Sequence, residues 1–238
     1  MGMALPDGLG TAVRRQVARV DNPRMSRGAD PAVKPDKQAL RRELRGQRRS
    51  LAPQRDRAAD GAAIATAAGA FLDTCRLPPD AGEQPCVAIY CSLPTEPPTE
   101  ALAELLHGRG VRVIVPELLP DRDLDWHDLR ADGSEGPRLG LAGIAAAHLI
   151  LTPALAVDHH GTRLGQGGGS YDRALVRRKP GAMVVAIVND QEYAGSLGSL
   201  GSLGSLGSLP RDEHDVPVDA VITPGAGFAR VPGAGPVP

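Results

Sequence analysis

Two periodicities run along the chain. Leu40, Leu44 and Leu51 recur at helical spacing after Asp36, a residue type that caps free N–H groups, so the pattern predicts a helix from 36 to about 50. Arg41, Arg42, Arg45, Arg48 and Arg49 line its other faces, and Ser50 and Pro53 break it. A second, Ala-rich helix with Ile64 and Phe71 as its larger apolar residues continues to about Cys75. Short apolar runs then predict strands at 86–92, 111–118, 182–189 and 220–224, and a strand with its exit loop over 148–158. Residues 124–129 alternate and make another strand, and 97–107 read as a helix ending at Gly108 and Gly110. Residues 130–147 read as a Gly- and Ala-rich connection. Strands that alternate with helices predict an α/β fold, a three-layer sandwich around a mainly parallel central sheet.

Composition narrows the class. The chain has 238 residues, 42 % hydrophobic and 23 % charged, which suits one folded domain with tails. No stretch approaches the ~20 apolar residues of a membrane span. Aromatics are 3 %, so the core is aliphatic and a stacking platform for single-stranded nucleic acid is disfavoured. The net charge of −1 hides an asymmetry, with 14 basic against 7 acidic side chains in residues 1–60. A solvated Arg-rich helix accounts for it, and an anionic ligand or RNA is the functional alternative. Cys75, Cys86 and Cys91 are odd in number and form no CxxC, so neither a disulfide framework nor a zinc site is expected. They read as small buried apolar residues in a reducing, cytoplasmic protein.

The ends and one insertion fall outside this pattern. Residues 1–35 read as a disordered leader, 36–224 as the folded domain and 225–238 as a flexible tail. Residues 195–209 are five copies of Gly-Ser-Leu, expected as an insertion in a surface loop, where added length costs little closure entropy.

The strongest chemical signal is the segment RLGQGGGSYDRAL over 163–175, a glycine loop that follows a strand and opens into a helix. Its glycines let backbone N–H groups approach an anion. It lacks the Gly-Lys-Ser/Thr of a Walker loop, and Ser170 stands where a third dinucleotide-fingerprint glycine belongs. Asp172 falls in the first helical turn, suited either to capping or to Mg²⁺, and Arg163 lies within reach of a phosphate. A second acidic cluster ends at Asp215, and Asp172 and Asp215 are expected to meet over the carboxyl ends of the strands. Trp126, the only tryptophan, fits the core or a pocket wall.

Taken in order, the segments KQALR at 37–41, Glu96 and Thr99 in YCSLPTEPPT, 148–175 and 209–224 resemble the 5-formyltetrahydrofolate cyclo-ligase family. The resemblance spans roughly residues 37–224. It implies ATP- and Mg²⁺-dependent closure of 5-formyltetrahydrofolate to 5,10-methenyltetrahydrofolate through a phosphorylated formyl group. By motif it assigns Lys37, Arg41, Arg163, Leu164, Gly165, Gln166, Gly167, Gly168, Gly169, Ser170 and Tyr171 to ATP. It assigns Cys91, Glu96 and residues 166–170 to the folate substrate, and Asp172 and Asp215 to Mg²⁺. The implied partners are small molecules, with no membrane, no nucleic acid and a monomer by default.

Four features depart from the family pattern. Ser170 replaces an aromatic residue, Gln166 a frequent cation, the connection after Trp126 is short, and the Gly-Ser-Leu repeat precedes Asp215. They motivate an alternative expectation, a weakened relative that binds nucleotide or folate without useful turnover.

Overall fold

The structure is a computed structural model, and it describes residues 36–75, 77, 82–194 and 208–232. The leader expected at 1–35 and most of the Gly-Ser-Leu repeat lie outside the described residues. The element order begins with α1 (Lys37–Leu51), α2 (Arg57–Thr74), β1 (Cys86–Ala88), α3 (Glu100–Gly108), β2 (Arg112–Leu118), β3 (Leu124–Leu129) and β4 (Glu135–Gly140). It continues with β5 (Leu149–Pro153), β6 (Ala156–Val157), β7 (Arg163–Leu164), α4 (Ser170–Leu175), β8 (Met183–Ile187), β9 (Ala220–Thr223) and β10 (Gly227–Arg230).

Eight strands form one sheet in the order β10-β9-β8-β5-β1-β2-β3-β4. The five central strands are parallel; β10 pairs antiparallel with β9 on one side, and on the other β3 pairs antiparallel with β2 and β4 with β3. The central strands are covered on both faces, and since neighbouring residues point to opposite sides, each strand feeds two cores. In β5, Leu149 and Leu151 join the cluster under α2 and α3, with Ile64, Phe71, Leu102 and Leu106. Ile150 joins the opposite cluster, with Trp126, Ile144 and Leu175 of α4. This is the three-layer arrangement expected from the sequence, and Trp126 resolves as core.

The differences have local causes. β1 stops at Ala88 because the chain after it bends away, held where the Tyr90 hydroxyl donates to the Pro97 carbonyl at 2.7 Å and Thr99 Oγ1 to the Tyr90 carbonyl at 2.8 Å. The connection expected at 130–147 holds strand β4 and a 3₁₀ turn over Leu141–Ala146. Residues 227–230, expected within a flexible tail, pair with β9, and Phe228 stacks on Phe71 with ring centroids 4.1 Å apart. A Gly- and Pro-rich composition hid one aromatic anchor. Of the cysteines, only Cys86 is buried, Cys75 is partly exposed and Cys91 is exposed.

Helix α1 is placed by two kinds of contact. Asp36 caps it, accepting from the N–H groups of Gln38 and Ala39. Leu40 and Leu44 pack on Leu155, Ala156 and Leu164 of the small β6–β7 ribbon, together with Leu209. At its far end Arg48 is buried against Glu192, with Nε and Nη2 2.7 and 2.6 Å from the two carboxylate oxygens, and Nη2 also donates to the Ala154 carbonyl. Glu192 in turn closes a capping box with Asn189.

Removing one partner of a buried ion pair leaves the other desolvated and uncompensated, at a cost of about 3–5 kcal/mol. Arg48→Met is therefore expected to lower unfolding free energy by about that amount, measured as a shift of the urea midpoint at unchanged m.

Candidate functional site

A cavity of about 570 Å³ opens at the carboxyl ends of β1, β2 and β5. The chain reverses direction across the sheet there, since β2 lies on one side of β1 and β5, β8 and β9 on the other. The connection through α3 covers one face and that through α4 the other. The splayed connections leave a crevice at this switch point, the usual ligand position of an open α/β sheet. All fifteen residues singled out from the sequence line this one cavity, from Lys37 and Arg41 on α1 to Cys91, Glu96, the 163–171 segment, Asp172 and Asp215.

The glycine loop runs from the end of β7 into α4. Gly167 has φ +100° and Gly169 φ +68°, a region open to glycine at little cost. A Cβ at Gly167 would also come within 3.4 Å of the Arg41 guanidinium. Arg41 Nε donates to the Gly165 carbonyl at 3.0 Å, so the basic helix packs beside the loop. Among the described residues, the backbone N–H groups of 165–169 donate to no acceptor within the protein. That is the donor set an anion would fill.

Charges are paired around the loop. Arg163, buried, places Nη2 2.6 Å from Asp172 Oδ1, and its guanidinium carbon lies 5.8 Å from the Tyr171 ring centroid. Arg163 Nε and the Tyr171 hydroxyl are both buried without a hydrogen-bond partner. Burial holds the Tyr171 phenol well above its ordinary pKa. Lys37 Nζ sits between Asp212 at 2.6 Å and Asp215 at 2.5 Å. Burial opposes the lysine charge, but the hydrogen bonds and attraction of both aspartates outweigh it and raise its pKa. Burial likewise opposes ionisation of Asp215, and Lys37, the Asp212 N–H and Arg163 outweigh it and lower its pKa.

The two sequence-selected carboxylates come together through the backbone, where Val216 N–H donates to Asp172 Oδ1 at 3.4 Å. Each keeps one oxygen, Asp172 Oδ2 and Asp215 Oδ1, without a partner among the described residues. Hard oxygen donors on two aspartates fit Mg²⁺, which takes one or two carboxylates and fills its remaining positions from phosphate and water. Glu96, only 6 % exposed, accepts from Leu93 N–H through Oε2. Beside it the wall turns apolar, and the exposed side chains of Leu93 and Leu118 line the cavity with Pro116 and Leu124.

Sequence reasoning missed Asp212 as a partner of Lys37, and missed Leu93, Leu118 and the Arg48–Glu192 anchor. The anchor had a signal: Asn189 and Glu192 have capping-box spacing, and Arg48 follows Leu44 by four residues on the buried side of α1.

Fold and site define an α/β protein with an anion-receptive glycine loop at the topological switch point. The family model described as the 5-formyltetrahydrofolate cyclo-ligase family matches residues 33–224, and the chain belongs to that family. A 5-formyltetrahydrofolate cyclo-ligase of Mycolicibacterium smegmatis is 32 % identical over 160 residues, covering 61 % of this chain and 76 % of the relative. One from Escherichia coli K12 is 30 % identical over 152 residues, covering 58 % and 77 %. The fold is shared with a 5,10-methenyltetrahydrofolate synthetase of Mycoplasma pneumoniae, TM-score 0.58 at 20 % identity over 79 % of this chain and 98 % of that one. The synthetase of Aquifex aeolicus gives TM-score 0.56 at 21 % identity, over 85 % and 96 %.

In the ligand-free protein the Lys37 clasp has a defined pH window. The raised Lys37 pKa stabilises below the ordinary lysine value and is lost as pH rises through it. The lowered Asp215 pKa stabilises above the ordinary carboxylate value and is lost as pH falls. The wild-type chain is therefore expected to lose stability on acidification through the carboxylate range, and Lys37→Met to lose less of it, measured by denaturant midpoints across pH.

Proposed function

We propose that the chain closes 5-formyltetrahydrofolate to 5,10-methenyltetrahydrofolate with ATP and Mg²⁺, releasing ADP and phosphate. One observation carries this reading. A single cavity joins a charged, N–H-rich end suited to a triphosphate to an apolar end, with a buried carboxylate, suited to a flat heterocycle.

In this reading Lys37, Arg41 and the 163–171 segment hold ATP. Cys91, Glu96 and residues 166–170 hold the folate, with Glu96 accepting from the pterin and Leu93 and Leu118 covering its rings. Asp172 and Asp215 hold Mg²⁺, which supplies charge neutralisation at the phosphates. The formyl oxygen attacks the γ-phosphorus and ADP leaves. N10 then adds to the activated carbon and loses its proton, and phosphate departs with the formyl oxygen. No protein nucleophile is required, so catalysis rests on alignment and preorganised charge. The chain is read as a cytoplasmic monomer acting on small molecules. Among the described residues, no helix is long and apolar enough to cross a membrane.

The test is a spectrophotometric assay for the near-ultraviolet band of the methenyl product. Growth of that band is expected only with 5-formyltetrahydrofolate, ATP and Mg²⁺ together. Asp172→Asn is expected to cut turnover by about 10²-fold or more. A flat trace from folded wild-type protein overturns the proposal, and ATP binding without product would favour the weakened relative.

A further inference from the structure

The hydrogen bonds around the glycine loop separate its carbonyls from its N–H groups. Three carbonyls are each taken by an arginine: Gly165 by Arg41 Nε at 3.0 Å, Gln166 by Arg45 Nη2 at 2.5 Å and Gly168 by Arg173 Nη2 at 3.2 Å. A trans peptide points its N–H opposite to its carbonyl. Fixing these three carbonyls therefore fixes the N–H groups of Gln166, Gly167 and Gly169, which donate to nothing within the protein among the described residues.

Arg45 and Arg173 do not line the cavity, so they act on the loop from behind. Each has a second hold. Arg45 Nε donates to the Gln166 side-chain oxygen at 2.8 Å. Arg173 Nη2 donates to the Arg122 carbonyl at 2.6 Å, in the turn between β2 and β3. That turn is itself tied to the chain after α4, where Arg177 pairs with both oxygens of Asp123.

We propose that Arg45 and Arg173 are positioning residues for phosphate recognition, clamping the loop carbonyls outward so that the N–H groups stay turned to the anion. The inference rests on the reading of this cavity as an ATP site. Its physical basis is the freedom of glycine. Both signs of φ are open to it, so a glycine peptide can flip and put a carbonyl oxygen where a phosphate needs a donor. The arginines return the order that the glycines remove, at positions where a Cβ would crowd the Arg41 or Arg173 guanidinium.

The experiment measures affinity for ATP with Mg²⁺ by calorimetry, and KM for ATP and kcat, on the full chain. R45A and R173A are expected to bind ATP about tenfold more weakly and to raise KM to match, because each loses a hydrogen bond from a charged donor. Their kcat is expected to change little, since saturating ATP selects the unflipped loop. R45K is expected to recover part of the loss, its ammonium reaching the Gln166 carbonyl alone. R42A, an exposed arginine on the same helix, is expected to leave KM unchanged. Wild-type affinity in R45A and R173A overturns the clamp, as does an equal loss in R42A, which would make the effect one of helix charge. Should R45A fail to fold, a wild-type KM in R45K together with one in R173A overturns it. A wild-type chain that binds no ATP overturns the functional reading and this inference with it, an outcome distinct from the others.

Discussion

The site depends on the buried pairing of Arg48 with Glu192. Desolvating two charges is expensive, and the cost is offset by four hydrogen bonds: Arg48 Nε and Nη2 to the two carboxylate oxygens, Nη2 to the Ala154 carbonyl, and the Asn189 N–H to Glu192, while Arg48 Nη1 stays buried without a partner. That demand for geometry gives the helix a unique position, which leucine packing alone would not. A sliding α1 would still bury Leu40 and Leu44, but it would strand the guanidinium. With Arg48 fixed, the helical rise sets Lys37 about 16 Å away along the axis. Arg41 and Arg45 fall between them at i and i+4, on the face that meets the loop. The anchor and the ligand-facing cations are therefore one helical stripe.

The sheet supplies the other half of the constraint. Parallel strands place all their carboxyl ends on one side, and the reversal between β1 and β5 leaves the crevice uncovered. Tyr90 and Cys91 leave β1 on one side of it, Pro153 and Ala154 leave β5 on the other, and the β6–β7 ribbon carries the glycine loop across. Since α1 packs on that ribbon, the helix is held against the strand from which the loop springs.

Much of this was legible in the sequence. The apolar runs marked every central strand because those strands are buried on both faces and need no alternation to be seen. The glycine loop was legible because positive φ restricts Gly167 and Gly169 to few residue types, and Asp172 because it falls in the first turn of the helix that follows. Strand order was not legible, because Val, Ile and Leu satisfy any buried neighbour. Strand β4 was missed because only Gly136 and Leu139 in it are even partly buried and no period appears. The edge strand at 227–230 was missed because its evidence is the tertiary stack of Phe228 on Phe71. The ion pairs were legible only as charges, since a sequence shows that Lys37 and Asp215 exist but not that 178 residues later they meet.

Charge balance in the cavity bears on what it can receive. Lys37, Arg41 and Arg163 face Glu96, Asp172, Asp212 and Asp215, so the lining is slightly acidic despite its basic helix. The cations are also already engaged, Lys37 with two aspartates, Arg163 with one and Arg41 with a loop carbonyl. A bare polyanion would meet as much repulsion from the carboxylates as attraction from the bases. An anion that brings a divalent cation would reverse this: the free oxygens of Asp172 and Asp215 would hold the cation, and the N–H groups of the loop would receive the phosphate without adding formal charge. On the proposed reading the arrangement suits a metal–nucleotide complex better than either component alone, which accounts for a lining with more acids than bases.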